Sequence, residues 1–290
     1  MSIDRREFLK TLGIASASLS GTTVLAKPNA EPEHDEFYAI LHDISLCEGC
    51  QECEFACAAA NGLPEPEDYP DSEVKRKLQP EQWSVINAVE TREGELYTKT
   101  QCMHCAQPAC ASACLTQAMK KQEEGPVTWT EGKCMGCRYC MVSCPFDVPQ
   151  FEYDDNNPKI GKCQMCFGKL KAGEVPACVE NCPAEALFFG KRSEVLAEAH
   201  RRIADDPDNY VNHIYGEFEA GGTSWLNISP VPFEELGFKT NLETKPYPEL
   251  TKGFLYSVPS VFVLWPALLM GLREATKKDK SEMLEGGDHE

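Results

Sequence analysis

The run Cys134-Met135-Gly136-Cys137-Arg138-Tyr139-Cys140-Met141-Val142-Ser143-Cys144-Pro145 decides how this chain is read. Its cysteines follow C-x2-C-x2-C-x3-C. Working outward, the same spacing recurs at Cys47, Cys50, Cys53 and Cys57. Two looser copies complete the set. Cys102, Cys105, Cys110 and Cys114 widen one gap to four residues, and Cys163, Cys166, Cys178 and Cys182 widen it to eleven. All sixteen cysteines of the chain fall in these four groups, each opening with C-x2-C and closing with C-x3-C.

Such a run, closed by proline, is the one bacterial ferredoxins use for iron-sulfur clusters. The reason is geometric. A tight C-x2-C-x2-C loop wraps three thiolates round one cubane, and the fourth cysteine, about one helical turn further on, points to a neighbouring cluster. Two other chemistries compete. Sixteen cysteines in an exported chain could pair as disulfides, but thiols this close in sequence rarely form relaxed bridges. Zinc ribbons use paired C-x2-C units without the third and fourth cysteine seen here. A disulfide- or zinc-stapled interaction protein is therefore the alternative of another class.

The 290 residues carry a net charge of -18, which argues against nucleic acid as a partner. Residues 1–26 read as a targeting segment: Asp4-Arg5-Arg6-Glu7-Phe8-Leu9-Lys10 precedes a mildly apolar run ending in Val24-Leu25-Ala26. The pattern is that of a twin-arginine signal with Asp4 at the usual Ser or Thr position. An amphipathic helix is its alternative. Residues 27–36 are a polar linker, and 37–43 read as a strand. The proline-rich stretch 61–80 reads as a surface loop, and 82–90 with 95–100 as a hairpin about Arg92-Glu93-Gly94. Short strands are expected at 126–130 and 186–189, with a helix opening at Ser193 and running to Arg202. The passage 230–248 reads as an extended segment that buries little against itself and lies along a partner, within an extension spanning 191–252.

Gly49, Gly136 and Gly161 stand in or beside the cysteine loops, where backbone must approach a cluster closely. Lys133, Arg138 and Lys162 flank the cysteines and read as solvated surface charges, with the raising of a cluster potential as their alternative role, and the histidines, among them His104, His200 and His213, read as structural or surface residues. Residues 253–272 are uncharged and long enough to cross a bilayer as a helix. Pro259 and Pro266 lie inside it, and a buried interface helix is the alternative. The tail, 273–290, ends in an acidic stretch expected to be unordered. The chain shows no nucleotide fingerprint, no open-coordination metal site and no nucleophile-base pair. By itself it reads as no enzyme.

With these features in hand, the chain resembles the four-cluster ferredoxin-like subunits of respiratory oxidoreductases. They include the beta subunits of formate dehydrogenase, dimethyl sulfoxide reductase and polysulfide reductase, and the HybA-type subunit of membrane-bound nickel-iron hydrogenase. A signal of its own together with a C-terminal span is most similar to the HybA type. The resemblance implies an α+β fold of two ferredoxin-like domains over residues 37–190 with a C-terminal transmembrane helix. It also implies four 4Fe-4S clusters with nested ligation. Cys47, Cys50, Cys53 and Cys182 would hold one, and Cys57, Cys163, Cys166 and Cys178 its neighbour. Cys102, Cys105, Cys110 and Cys144 would hold a third, and Cys114, Cys134, Cys137 and Cys140 the fourth. Some relatives replace one cysteine by tryptophan and carry a 3Fe-4S centre, but here every position is cysteine. The implied function is electron transfer in anaerobic respiration. It runs between a periplasmic catalytic subunit and a quinone-linked integral membrane subunit, at the periplasmic face of the cytoplasmic membrane. The beta subunit of a formate dehydrogenase or of a molybdopterin or sulfur-compound reductase is the nearest alternative.

Overall fold

A computed structural model of the chain describes residues 37–154 and 158–285, with side chains in the last helix described as far as Thr276. The signal segment, the 27–36 linker and residues 286–290 lie outside the described residues. Contacts divide the chain into a unit from Glu33 to Leu250 and a second that takes the C-terminal helix from Thr251.

The first unit is built on strand β1 (Tyr38–Asp43), which lies between two strands from much later in the chain. β8 (Leu187–Lys191) pairs with it antiparallel and β9 (Trp225–Ile228) parallel. Side chains alternate across a strand, so β1 serves two cores. Ile40 stands opposite Phe189 and Trp225 on the face that meets the cysteine loops. Ala39 and Leu41 face the other way, onto Val195, Ala199 and Ile203 of α6 (Arg192–Asp205). Asp43 ties the end of β1 to that helix. Its buried carboxylate accepts hydrogen bonds from Arg202 Nη1 at 2.9 Å, Tyr210 Oη at 2.9 Å and Ser45 Oγ at 2.6 Å.

Between β1 and β8 lie the cysteine loops and their short elements. These are α1 (Glu52–Asn61), the hairpin β2 (Val85–Thr91) and β3 (Gly94–Thr100), and α2 (Ala109–Ser112). The hairpin β4 (Met119–Lys121) with β5 (Val127–Trp129), α3 (Tyr139–Val142), and the pair β6 (Gln150–Phe151) with β7 (Ile160–Gly161) follow. α4 (Phe167–Lys171) and α5 (Ala177–Glu180) complete the set. The hairpin turns at Arg92-Glu93 with Gly94 at φ 104°, so the strands expected at 37–43, 82–100, 126–130 and 186–189 are all present.

Two expectations are corrected. The first helix after β8 does not open at Ser193. The chain enters it at Lys191, whose backbone N–H donates to Glu194 Oε2 at 3.0 Å, and Glu194 thereby caps the first turn. Residues 230–248 do not lack burial of their own. Val231, Phe233 and Leu236 are buried, and the Phe233 ring packs on Tyr215 and Phe238. Backbone bonds tie β1 to the turn before β5, Tyr38 N to Glu124 O, and the second cysteine loop to the segment before β9, Ser224 N to Met103 O and Ala106 N to Gly222 O, within the one unit from Glu33 to Leu250. The 61–80 loop is largely exposed, as its prolines suggest, except at Arg76 and Leu78.

The second unit contains α7 (Tyr247–Glu285), which starts before its boundary at Thr251. Within its stretch Tyr247–Thr276 an 18-residue window reaches a mean hydropathy of 1.7, and none of that window is buried. It contains Pro259 and Pro266, which end or kink helices in water but are tolerated where neighbours satisfy the backbone. The helix outruns the expected 253–272 span and enters the tail, since residues 274–285 are mostly strong helix formers.

Candidate functional site

Cysteines distant in sequence share cavities. Cys47, Cys50 and Cys53 line one of about 360 Å³ together with Cys182. Cys163, Cys166 and Cys178 line a second, of about 380 Å³, with Cys57. Cys134, Cys137 and Cys140 line a third, of about 330 Å³, with Cys114. Cys102, Cys105, Cys110 and Cys144 form the fourth set, the Cys105 thiol facing the other three. Each set takes three cysteines from one group and one from another. The helix α1 makes two of these sets neighbours: Cys53 and Cys57 sit on it four residues apart, one in each cavity.

A local backbone device repeats in all four loops. The residue before the second cysteine is left-handed in each: Gly49 (φ 69°), His104 (φ 48°), Gly136 (φ 70°) and Met165 (φ 52°). Three residues after the last cysteine of the second, third and fourth groups, Gln117, Asp147 and Glu185 are also left-handed. Their N–H groups close on the carbonyls of Cys114, Cys144 and Cys182 at 3.2, 3.3 and 3.3 Å. Glycine is required most plainly at Gly49, where a Cβ would stand 2.3 Å from the Tyr97 ring. Gly161 serves differently from expectation. Its φ is ordinary, and a Cβ there would lie 2.0 Å from the Pro80 carbonyl oxygen, so backbone packing, not cluster approach, excludes a side chain.

The thiols fit a cluster better than the rival chemistries. None of the sixteen is bridged. Among the described residues no three His, Cys, Asp or Glu side chains converge as a single-ion site needs, whereas a zinc site draws its sulfurs in on bonds of about 2.3 Å. Sulfurs set round a space rather than a point suit a cubane. Burial pushes Cys47 up to about 11, Cys57 up to about 12, and Cys140 and Cys144 up to about 11. It also raises Cys53, Cys105, Cys110, Cys163 and Cys178. Such thiols are neutral without metal, so ligation releases protons. Cys114 runs the other way. Burial pushes it up, but the Met119 N–H at 3.3 Å and the Thr116 hydroxyl at 3.7 Å outweigh that and hold it below an ordinary thiol.

Two buried lysines and one half-buried one were not read from the sequence as site residues. Lys162, expected at the surface, is 1 % exposed, its ammonium held by the carbonyls of Val127 and Cys163. Lys133 and Arg138 are exposed as expected, Arg138 lying over the rings of Phe151 and Tyr153. Lys121 donates to the His104 carbonyl at 3.0 Å, and burial is the main cause lowering it to about 8. Lys99, on β3, is 4 % exposed and lines both cavities that meet at α1. Burial works to lower it, but attraction to the sulfurs of Cys53, Cys178, Cys57 and Cys163 outweighs this and holds it above an ordinary lysine. The histidines near the loops are structural. His104 is buried and its Nδ1 accepts the Val127 N–H at 2.8 Å, while His42 is buried neutral, lowered to about 4 by burial and by Lys99.

The model of a 4Fe-4S dicluster domain matches residues 94–192. Hydrogenase-2 operon protein HybA of Escherichia coli O157:H7 is 34 % identical over 99 % of this chain and 99 % of its own length. A protein of Nitratidesulfovibrio vulgaris strain Hildenborough is 43 % identical over 95 % of this chain and 78 % of its own. The nitrate-inducible formate dehydrogenase iron-sulfur subunit of Escherichia coli K12 is 31 % identical over 72 % of this chain and 74 % of its own. Cavities ringed by unbridged thiols and relatives of this kind lead to one conclusion: the chain belongs to the HybA-type family of 4Fe-4S electron-transfer subunits of respiratory oxidoreductases.

Proposed function

We propose that the chain conducts electrons through four 4Fe-4S clusters, one in each set of four cysteines, between a periplasmic catalytic subunit and a quinone-linked membrane subunit. The catalytic partner of this reading is a nickel-iron hydrogenase. The convergence of the sixteen thiols into four nested sets supports it most directly. When bound, such clusters supply one-electron chemistry whose potential depends on hydrogen bonds, charge and burial round the sulfurs.

The chain's own residues hold and insulate. The two ferredoxin-like modules fix thiol spacing through their left-handed loop residues. The N–H groups of Met119 and Met165 donate to Cys114 and Cys163 sulfurs, each at 3.3 Å, and favour their thiolates. Nothing here activates a substrate, and bond chemistry belongs to the partner. The twin-arginine segment carries the chain out already folded round its clusters, and α7 anchors the assembly with its tail in the cytoplasm.

The full-length alignment with HybA favours the hydrogenase setting. The shorter alignment with a formate dehydrogenase subunit supports the second reading, a formate dehydrogenase beta subunit. Anaerobic purification from membranes in mild detergent tests both. About sixteen irons and as many acid-labile sulfides per chain are expected, one cubane per set, together with a nickel-iron catalytic subunit. A molybdopterin subunit instead would select the second reading. Little iron, or a soluble lone chain, would overturn both and favour the stapled protein.

A further inference from the structure

Lys99 occupies a singular place between two cysteine sets. It lines the cavity of Cys47, Cys50, Cys53 and Cys182 and also that of Cys57, Cys163, Cys166 and Cys178. The charged neighbours that act on it most are Cys53, Cys178, Cys57 and Cys163, drawn from both sets. Its ammonium donates to Ser84 Oγ and stands 5.1 Å from the centre of the Trp225 ring. Among the described residues no carboxylate forms an ion pair with it.

A buried ammonium is costly unless negative charge compensates it. With clusters bound, the compensating charge would lie on the ligating sulfurs of the two sets whose cavities Lys99 lines. A cubane held by four thiolates is net negative and gains one more negative charge on reduction, so a fixed cation beside it favours the reduced state. We propose that Lys99 is a positioning residue for charge: its single ammonium raises the reduction potentials of both clusters that meet at α1. This rests on the cluster assignment proposed above. Coulomb's law with an effective dielectric constant of about 20 gives roughly a tenfold to hundredfold change in each reduction equilibrium at separations of several ångströms. Lys121 stands beside the Cys102, Cys105, Cys110 and Cys144 set instead.

The test is a redox titration of the complete membrane complex followed by electron paramagnetic resonance, after iron has been counted. Lys99→Met is expected to lower two of the four midpoints by at least tenfold in equilibrium constant, about 59 mV for one electron, and to leave the other two in place. Lys99→Arg keeps the charge and is expected to leave all four near their original values. Ser84→Asp keeps Lys99 but pairs it with a carboxylate, and is expected to lower the same two midpoints. This variant decides the matter where Lys99→Met does not accumulate. Unmoved midpoints in loaded Lys99→Met or Ser84→Asp, or a uniform shift of all four, would overturn the proposal. A count well below sixteen irons in the unaltered complex would instead defeat the four-cluster reading beneath it.

Discussion

Removing the Glu54 carboxylate should loosen the helix that serves two cysteine sets. Glu54 lies on α1 between Cys53 and Cys57, and its side chain is fully buried, facing an Arg76 side chain that is 6 % exposed. The carboxylate accepts Arg76 Nη1 at 2.7 Å and Nη2 at 2.8 Å, Gln82 Nε2 at 3.1 Å and the Ile86 N–H at 2.5 Å. It therefore clamps α1 to the 61–80 loop and to β2. Glu54→Met strands a buried guanidinium and a backbone donor, a loss of about 3–5 kcal/mol for breaking such a pair from one side. At 1.4 kcal/mol per factor of ten, local opening becomes roughly a hundredfold to a few thousandfold more frequent. The assay is the rate at which visible absorption bleaches when the complex meets a chelator in sub-denaturing guanidinium. Release through an opened α1 follows that population. The double variant Glu54→Met with Arg76→Met replaces the pair by apolar groups and is expected to recover most of the loss. Bleaching within threefold of the unaltered complex in the single variant, or a double variant worse than the single, would refute the argument.

Cys182→Ser is expected to disturb the cluster signal shared with Cys47, Cys50 and Cys53 and to spare that of its sequence neighbours Cys163, Cys166 and Cys178. Loss of the latter by paramagnetic resonance would contradict the nested assignment. Gly161→Ala should cost about 1–3 kcal/mol or more, because backbone at Pro80 must move to admit the methyl group. A thermal midpoint unchanged from that of the unaltered complex would contradict the close approach. Ending the chain after Lys252 should leave iron content intact and send the chain into the soluble fraction. Retention in washed membranes would show that α7 is not the anchor.

Much of the site was legible because cysteine spacing is local information. The C-x2-C and C-x3-C steps mark each loop, the β2–β3 hairpin carries ordinary alternation, and β1, β5 and β8 are short runs of strand-favouring residues beside the loops. Which groups share a cavity is not local. It depends on β1 being paired by β8 and β9 from far along the chain, and only the family resemblance implied it. The buried lysines were missed for a related reason. Lys99 follows Glu95 and Tyr97 in period-two alternation, which reads as a solvent face until the second cysteine set closes over it. Lys162 is adjacent to Cys163, a position that pointed equally to surface. Val231, Phe233 and Leu236 were hidden by the prolines around them, which signal the lack of regular structure but not the lack of burial. The Glu54 clamp left no signal, since its partner sits in a loop whose composition is that of surface.

The placement of β1 also constrains how the protein comes into being. Its two partner strands and the cysteine that completes its nearest cavity are made only after Cys182 and Ile228 have left the ribosome. The set built from Cys102, Cys105, Cys110 and Cys144 is complete long before that. Synthesis thus completes the cysteine sets from the middle outward: the first three sulfurs of the earliest loop wait for Cys182, made more than a hundred residues later, before their cavity has its fourth.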